Sequence, residues 1–84
     1  MTEHEIGTVT HYFSKLGVAA VQVTEEGVSV GDTIHVKGHT SDFQQTVDSM
    51  QIDGMPVHDA GPGQSIGIRV LGHAREHDHV LKVE

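Results

Sequence analysis

The stretch Ala60-Gly61-Pro62-Gly63-Gln64-Ser65-Ile66-Gly67-Ile68-Arg69-Val70 decides the fold of this chain. Its first four residues combine two glycines with a proline, which fixes φ and is typical of a tight turn. From Ile66 onward, apolar side chains alternate with glycine and arginine, the period-two pattern of a β strand with one buried face. The stretch therefore predicts a turn followed by a strand, with Arg69 facing outward.

Strand patterns recur at short intervals along the rest of the chain. β-branched and apolar residues alternate with polar ones, and turn residues separate the segments. The predicted strands are residues 6–12, 18–23, 33–37, 57–60, 66–70 and 80–83, with Gly7 a bulge or close-packing position and Ile34 and Val36 on one face. In the segment 43–52, Phe43, Val47 and Met50 also fit a helical spacing, so the residues alone leave strand and helix open there.

The composition bounds the class of protein. With 84 residues and a formal net charge of −7, the chain is predicted to form a single domain, residues 1–84, and not to bind nucleic acid tightly and non-specifically. It contains no cysteine, which favours a cytoplasmic location and excludes disulfides and thiolate ligands. The acidic N-terminal residues and the lack of a long apolar run predict neither a signal peptide nor a membrane span.

Three segments together carry a resemblance to a known family. They are Val30-Gly31-Asp32, Val47-Asp48-Ser49-Met50-Gln51-Ile52 and the Ala60 to Ile68 stretch. In this order they resemble the second domain of translation elongation factors such as elongation factor Tu, with its Val-Gly-Asp-like turn, Val-x-Ser-Met-like strand and Ala-Gly-x-Gly turn. The chain is identified as a stand-alone, translation-factor-like small protein. The resemblance implies an all-β fold, a small closed or partly open six- to seven-stranded β-barrel, and assigns residues 43–52 to a strand.

The resemblance implies a binding module rather than an enzyme. A translation GTPase needs a Gly-x4-Gly-Lys-Ser/Thr loop for phosphate and an Asn-Lys-x-Asp segment for guanine, and this sequence has neither, nor any asparagine. We therefore expect a non-catalytic module that binds a protein or ribonucleoprotein partner in or near translation. A similar barrel occurs at the C-terminus of U32 peptidases, so the alternative is an interaction or regulatory module outside translation, such as a peptidase accessory barrel.

The sharpest local cluster of side chains is His73, His77 and His79, with Glu76 and Asp78 between them. Imidazole and carboxylate are ligands for zinc, nickel or copper, so this cluster is the candidate metal site and makes a histidine-rich metal-binding protein a third hypothesis. A solvated, histidine-rich acidic loop is the alternative. The sequence predicts no cofactor.

Two further candidates concern catalysis and partner binding. The serines stand in no recognised nucleophile elbow, and Asp48 and Asp53 lie five residues apart, on opposite faces of a strand, so no catalytic residues are predicted. Arg69 lies where the resemblance places part of a binding pocket, which makes it the candidate partner-binding residue. An outward arginine paired with a neighbouring carboxylate is the alternative.

Self-association is a further expectation. A partly open barrel has edge strands that invite pairing. The C-terminal strand, protected only by Lys82 and Glu84, is the predicted edge.

Overall fold

The computed structural model describes residues 2–84 and, over that range, contains ten β strands and no helix. The all-β class predicted from the sequence is therefore confirmed. The strands are β1 (Glu3–Phe13), β2 (Val18–Val23), β3 (Val28–Ser29), β4 (Thr33–Lys37), β5 (Asp42–Thr46), β6 (Met50–Ile52), β7 (Met55–Val57), β8 (Asp59–Ala60), β9 (Ser65–Arg69) and β10 (His79–Val83).

Eight of the strands form one antiparallel sheet in the order β5-β4-β10-β1-β2-β9-β6-β7, while β3 and β8 pair separately. The first two strands, β1 and β2, pair as an antiparallel hairpin. The two end strands, β5 and β7, do not pair with each other, so the sheet is not closed into a barrel. Of the expected closed or partly open barrel of six to seven strands, the structure has the all-β class and a large antiparallel sheet, with ten strands in place of six or seven. The C-terminal strand is also not an edge, because β10 pairs with β1 on one side and β4 on the other.

The side chain of Gln45 in β5 connects this strand to the end of β9 and the segment that follows it, although the two strands share no backbone hydrogen bonds. The buried Gln45 amide accepts a hydrogen bond from the Leu71 N–H at 2.6 Å and donates one to the Arg69 carbonyl at 2.8 Å. The Ser41 hydroxyl donates to the His73 carbonyl nearby. We call this junction the Gln45 seam. It satisfies backbone groups that a further strand pair would otherwise satisfy.

The segment 43–52 forms neither a helix nor the single long strand that the resemblance assigned. It is divided into β5 and β6. Val47, between them, donates its N–H to the Asp32 carbonyl and accepts a bond from Gly31 N–H, so it pairs with the turn before β4. Gly31 has a φ of 99°, which glycine adopts readily, and the Asp32 carboxylate accepts a hydrogen bond from the Ser29 N–H within the same turn.

The core is a cluster of buried apolar side chains, mostly β-branched. It includes Ile34 and Val36 on one face of β4, as alternation predicted. The fully buried members with the largest side chains are Ile6, Ile34, Ile68, Val9, Val21, Val23, Val28, Val36, Val47 and Val80.

Gly7 lies where β1 is irregular. The register between β1 and β10 shifts between Glu5 and Gly7, which confirms the predicted bulge. A Cβ on Gly7 would stand 2.1 Å from the Gln22 carbonyl oxygen of β2. This position therefore accepts only glycine without movement of backbone.

No helix in the described residues is long and apolar enough to cross a membrane.

Candidate functional site

The outer faces of β2, β9 and β6 form a groove along β9. Gly67 of β9 is in register with Ala20 of β2 on one side and Gln51 of β6 on the other. Glycine and alanine have little or no side chain, so the floor of the groove is low at this point. Depressions of about 330 and 430 Å³ lie on either side of Gly67 and share four lining residues, so they form one continuous feature. We call it the β9 groove.

Exposed apolar side chains from the β1–β2 hairpin form one wall of the groove. Phe13 ends β1, and Leu16 lies in the turn that follows. They are 44% and 69% exposed, respectively. Sequence reasoning passed over Leu16, although an apolar residue within a polar turn was the available signal. Large apolar side chains exposed beside a depression are typical of an interaction surface.

The two ends of the groove carry opposite charges. Arg69 lines one end and is exposed on the outer face of β9, as alternation predicted. Among residues 2–84 it makes no ion pair, so the predicted pairing with a neighbouring carboxylate is absent from this part of the chain. Asp53 lines the other end, where Asp53 and Gly54, with φ of 51° and 78°, form the tight β6–β7 turn.

The structure divides the predicted metal cluster between two surface depressions. His73 lies against the Tyr12 ring, with 4.6 Å between ring centroids. His77 and His79 line a separate depression, and His79 Nδ1 lies 2.8 Å from Glu5 Oε1. Among residues 2–84, these three histidines do not belong to a group of three converging ligand atoms, and metal binding by them stays a prediction.

Among the described residues, a different group of three possible metal ligands does converge. His4, Glu26 and Glu84 each place a ligand atom within 4.8 Å of the others, and all three are exposed. They are distant in sequence, so no spacing pattern could have found them. Exposed acidic groups around a histidine form such ion pairs without a metal, and the His4 nitrogens lie 3.7 and 3.1 Å from the two carboxylates.

The buried His35 of β4 forms another cluster of titratable side chains, whose members the sequence spacing did not reveal. Within the described residues, His35 Nδ1 lies 2.8 Å from Glu3 Oε2 and its Nε2 lies 2.5 Å from Asp42 Oδ1. The hydrogen bond to Asp42 and then that to Glu3 raise the pKa of His35 above its ordinary value, and they outweigh burial, which lowers it. The imidazolium thus donates to two carboxylates and ties β1 and edge strand β5 to β4.

The His35 clamp leads to a pH-dependent prediction. Because the folded pKa of His35 is raised, its contribution to stability is fully present below the unfolded pKa of about 6.5 and is lost as pH rises through the folded pKa. We expect His35→Gln to lower the free energy of unfolding by about 1 kcal/mol more at pH 6 than at pH 8.5. The difference is no larger because Asp42 is exposed, so water screens its interaction with the imidazolium. Urea denaturation at the two pH values measures this difference.

His39→Gln is the matched control, because it removes an imidazole from an exposed loop position. Its effect should be small and the same at both pH values. Equal destabilisation by His35→Gln at pH 6 and pH 8.5 would show that the protonated form is not favoured in the folded state.

Comparison with known proteins gives a consistent result. No protein-family model matches the chain. It is 34% identical over 77 residues to an uncharacterized protease of Methanocaldococcus jannaschii, and the alignment covers 90% of this chain but 19% of that protein. The chain therefore spans about a fifth of the length of the curated relative that it matches.

Two crystal structures of the C-terminal domain of a Geobacillus thermoleovorans protein described as a U32 peptidase share the fold. One superposes with a TM-score of 0.88 at 22% identity, over 98% of this chain and 93% of that domain. The other, a selenomethionine variant, gives a TM-score of 0.86 at 21% identity, over 92% and 96%. At this identity the likeness establishes the fold alone.

These matches correct the identification made from the sequence. The chain is similar to a protease and to the C-terminal domain of a U32 peptidase, and not to the second domain of elongation factors, so the translation-factor identification is wrong, and so is the expected partner in the translation machinery. The physical reason is that the segments behind the resemblance are turns and strands, which any chain of similar topology needs. The alternative, a module outside translation of the kind found in peptidases, is the one that the matches support.

Proposed function

We propose that this chain is a non-catalytic protein-interaction module that serves a U32-type peptidase, and that it docks through the β9 groove. The observation that carries the proposal is the groove itself. The exposed Phe13 and Leu16 stand beside a low floor at Ala20 and Gly67. Covering such apolar surface with a partner removes it from water, which is favourable by about 25 cal/mol per Å².

The partner is the body of the peptidase. In the Methanocaldococcus relative, the matched segment accounts for 19% of the protein, so about four-fifths of that protease lies outside it. The module folds separately from this larger body and can present a binding surface to it. A groove along a strand can hold an extended segment of the body.

A non-catalytic role is supported by the way the polar side chains are used. Both ring nitrogens of His35 are occupied by carboxylates, so His35 is not free to accept a proton from a nucleophile. The buried Ser41 donates its hydroxyl hydrogen to a backbone carbonyl.

The absence of cysteine supports a cytoplasmic location for the module.

We also assign a role to the open side of the sheet. The fold acts as a partly open barrel in which the Gln45 seam replaces the missing ladder. Because the seam holds the Arg69 carbonyl, it fixes the backbone at one end of the β9 groove. A fixed groove loses less conformational entropy when a partner binds.

The test is a binding titration with a purified U32-type peptidase body from the source organism, prepared without its own C-terminal domain. We expect a one-to-one complex by isothermal titration calorimetry. Leu16→Asp should weaken it at least tenfold, because a carboxylate would be buried in an apolar contact without a partner.

Leu71→Asp is the matched control, since Leu71 is 79% exposed and does not line the groove. It introduces the same charge at a different place and should leave the affinity within about twofold of wild type. The proposal fails if the peptidase body does not bind, or if Leu16→Asp and Leu71→Asp bind equally well.

A further inference from the structure

The charges at the two ends of the β9 groove have no partners within the described chain. Arg69 pairs with no carboxylate among residues 2–84, as is also true of Lys15, Lys37 and Arg75, but Arg69 is the one of these four that lines the β9 groove. Asp53, at the other end, likewise makes no ion pair in that range. Both groups are exposed and line the groove.

The spacing of these charges follows from the strand register. Arg69, Gly67 and Ser65 are alternate residues of β9, so they face the same side, and Asp53 lines the groove at the Ser65 end. Four residue steps along a strand cover about 13 Å. An extended peptide has the same rise, so its first, third and fifth side chains would lie over the Arg69 end, the Gly67 floor and the Asp53 end.

The middle position lies between side chains that border Gly67. A Cβ on Gly67 would stand 3.2 Å from Val18 Cγ1 and 3.3 Å from Gln51 Cγ, closer than an ordinary contact, so these side chains leave no pocket directly above the glycine. A partner's side chain at this position would rest on Val18 and Leu16, which line both depressions. An apolar side chain of the partner is the complementary group.

We propose that the β9 groove binds an extended peptide segment with an acidic side chain at the Arg69 end, an apolar side chain above Gly67 and a basic side chain at the Asp53 end. The arginine guanidinium offers a planar fork that matches a carboxylate. The recognised pattern is acidic-x-apolar-x-basic or its reverse, depending on the chain direction. This inference rests on the proposed function, because it defines the segment of the peptidase body that docks in the groove.

The experiment uses four blocked pentapeptides with leucine at the centre and alanine at positions two and four. Two carry one glutamate and one lysine at the ends, in either order, one carries two lysines and one carries two glutamates. Binding is followed by amide chemical shifts of the whole chain, which detect weak affinities and locate the site. We expect one of the mixed peptides to bind most tightly and to shift the amides of β9.

A general attraction between an acidic protein and basic peptides gives the opposite ranking. With a net charge of −7, non-specific binding favours the peptide with two lysines. Preference of the wild-type chain for that peptide, or shifts outside the groove, would overturn the inference.

Substitutions at the ends of the groove measure the contribution of each charge to peptide binding separately. Arg69→Gln should weaken the mixed peptide about fivefold, and Asp53→Asn should do the same, since asparagine also tolerates the positive φ of the turn. Arg69→Glu should make the two-lysine peptide the preferred ligand. Thr40→Asp, in an exposed loop that lines neither depression of the groove, is the control and should leave the ranking unchanged. An unaltered ranking in Arg69→Glu contradicts the inference.

The two proposals fail in different ways. If Leu16→Asp abolishes binding of the peptidase body while the charge variants leave the peptide ranking unchanged, the groove docks the peptidase but does not select these charges. If the mixed peptide is preferred while the peptidase body does not bind, the specificity stands and the assignment of the partner falls.

Discussion

Gly7→Ala should destabilise the fold by about 3 kcal/mol, the upper range of the cost of overpacking. The added Cβ would stand 2.1 Å from the carbonyl oxygen of Gln22 and 3.1 Å from the Cα of Val23. Both are backbone atoms of β2, which pairs with β1 on one side and β9 on the other, so β2 cannot move away without stretching hydrogen bonds on both sides. Urea denaturation followed by circular dichroism measures the loss.

Gly61→Ala is the control for this prediction. A Cβ at Gly61 meets no atom within 4 Å, and its φ lies outside the left-handed region. It should change stability by less than about 1 kcal/mol and could raise it slightly, because alanine restricts the unfolded chain. A Gly7→Ala variant as stable as Gly61→Ala would mean that the irregularity in β1 adapts to a side chain, contrary to the contact described above.

The sequence was most informative where local rules decide the structure. The predicted strands at 18–23 and 33–37 coincide with β2 and β4, because alternation and flanking turn residues act over a few positions. The bulge at Gly7 and the outward direction of Arg69 follow from the same local reasoning.

Contacts between segments far apart in the chain could not be predicted from the sequence. His35 binds Glu3, 32 residues away, and Gln45 binds the backbone of Arg69, 24 residues away. Neither pair shows any sequence spacing, since both depend on which strands become neighbours. The floor of the β9 groove has the same origin, because Ala20 and Gly67 meet only through the register of β2 and β9.

The error about the family has a related cause. Glycine-marked turns and β-branched strands report what a topology needs from its backbone. They identify an architecture, and several families can share it. The residues that distinguish one function from another are the exposed ones in the groove, such as Leu16, and local patterns assign those no partner.

Gln45→Leu should open the side of the sheet that no ladder closes, at a cost of about 2 to 3 kcal/mol. Leucine fills a similar volume, but it leaves the Leu71 N–H and the Arg69 carbonyl without the bonds that the Gln45 amide makes at 2.6 and 2.8 Å. Water can replace part of this loss, because Leu71 is exposed. Urea denaturation gives the change in stability, and hydrogen exchange of the Leu71 amide should become at least tenfold faster.

Gln44→Leu, at the neighbouring exposed position of β5, is the control and should leave both quantities close to wild type. Slow exchange of the Leu71 amide in Gln45→Leu would show that the seam depends on other contacts.

The effect on binding distinguishes the seam from an ordinary buried hydrogen bond. Because Gln45 holds the backbone of Arg69, the variant should also reduce the preference for the mixed-charge peptide under conditions in which it is fully folded. The stability of the open sheet and the selectivity of the groove are therefore expected to change together when this one side chain is replaced.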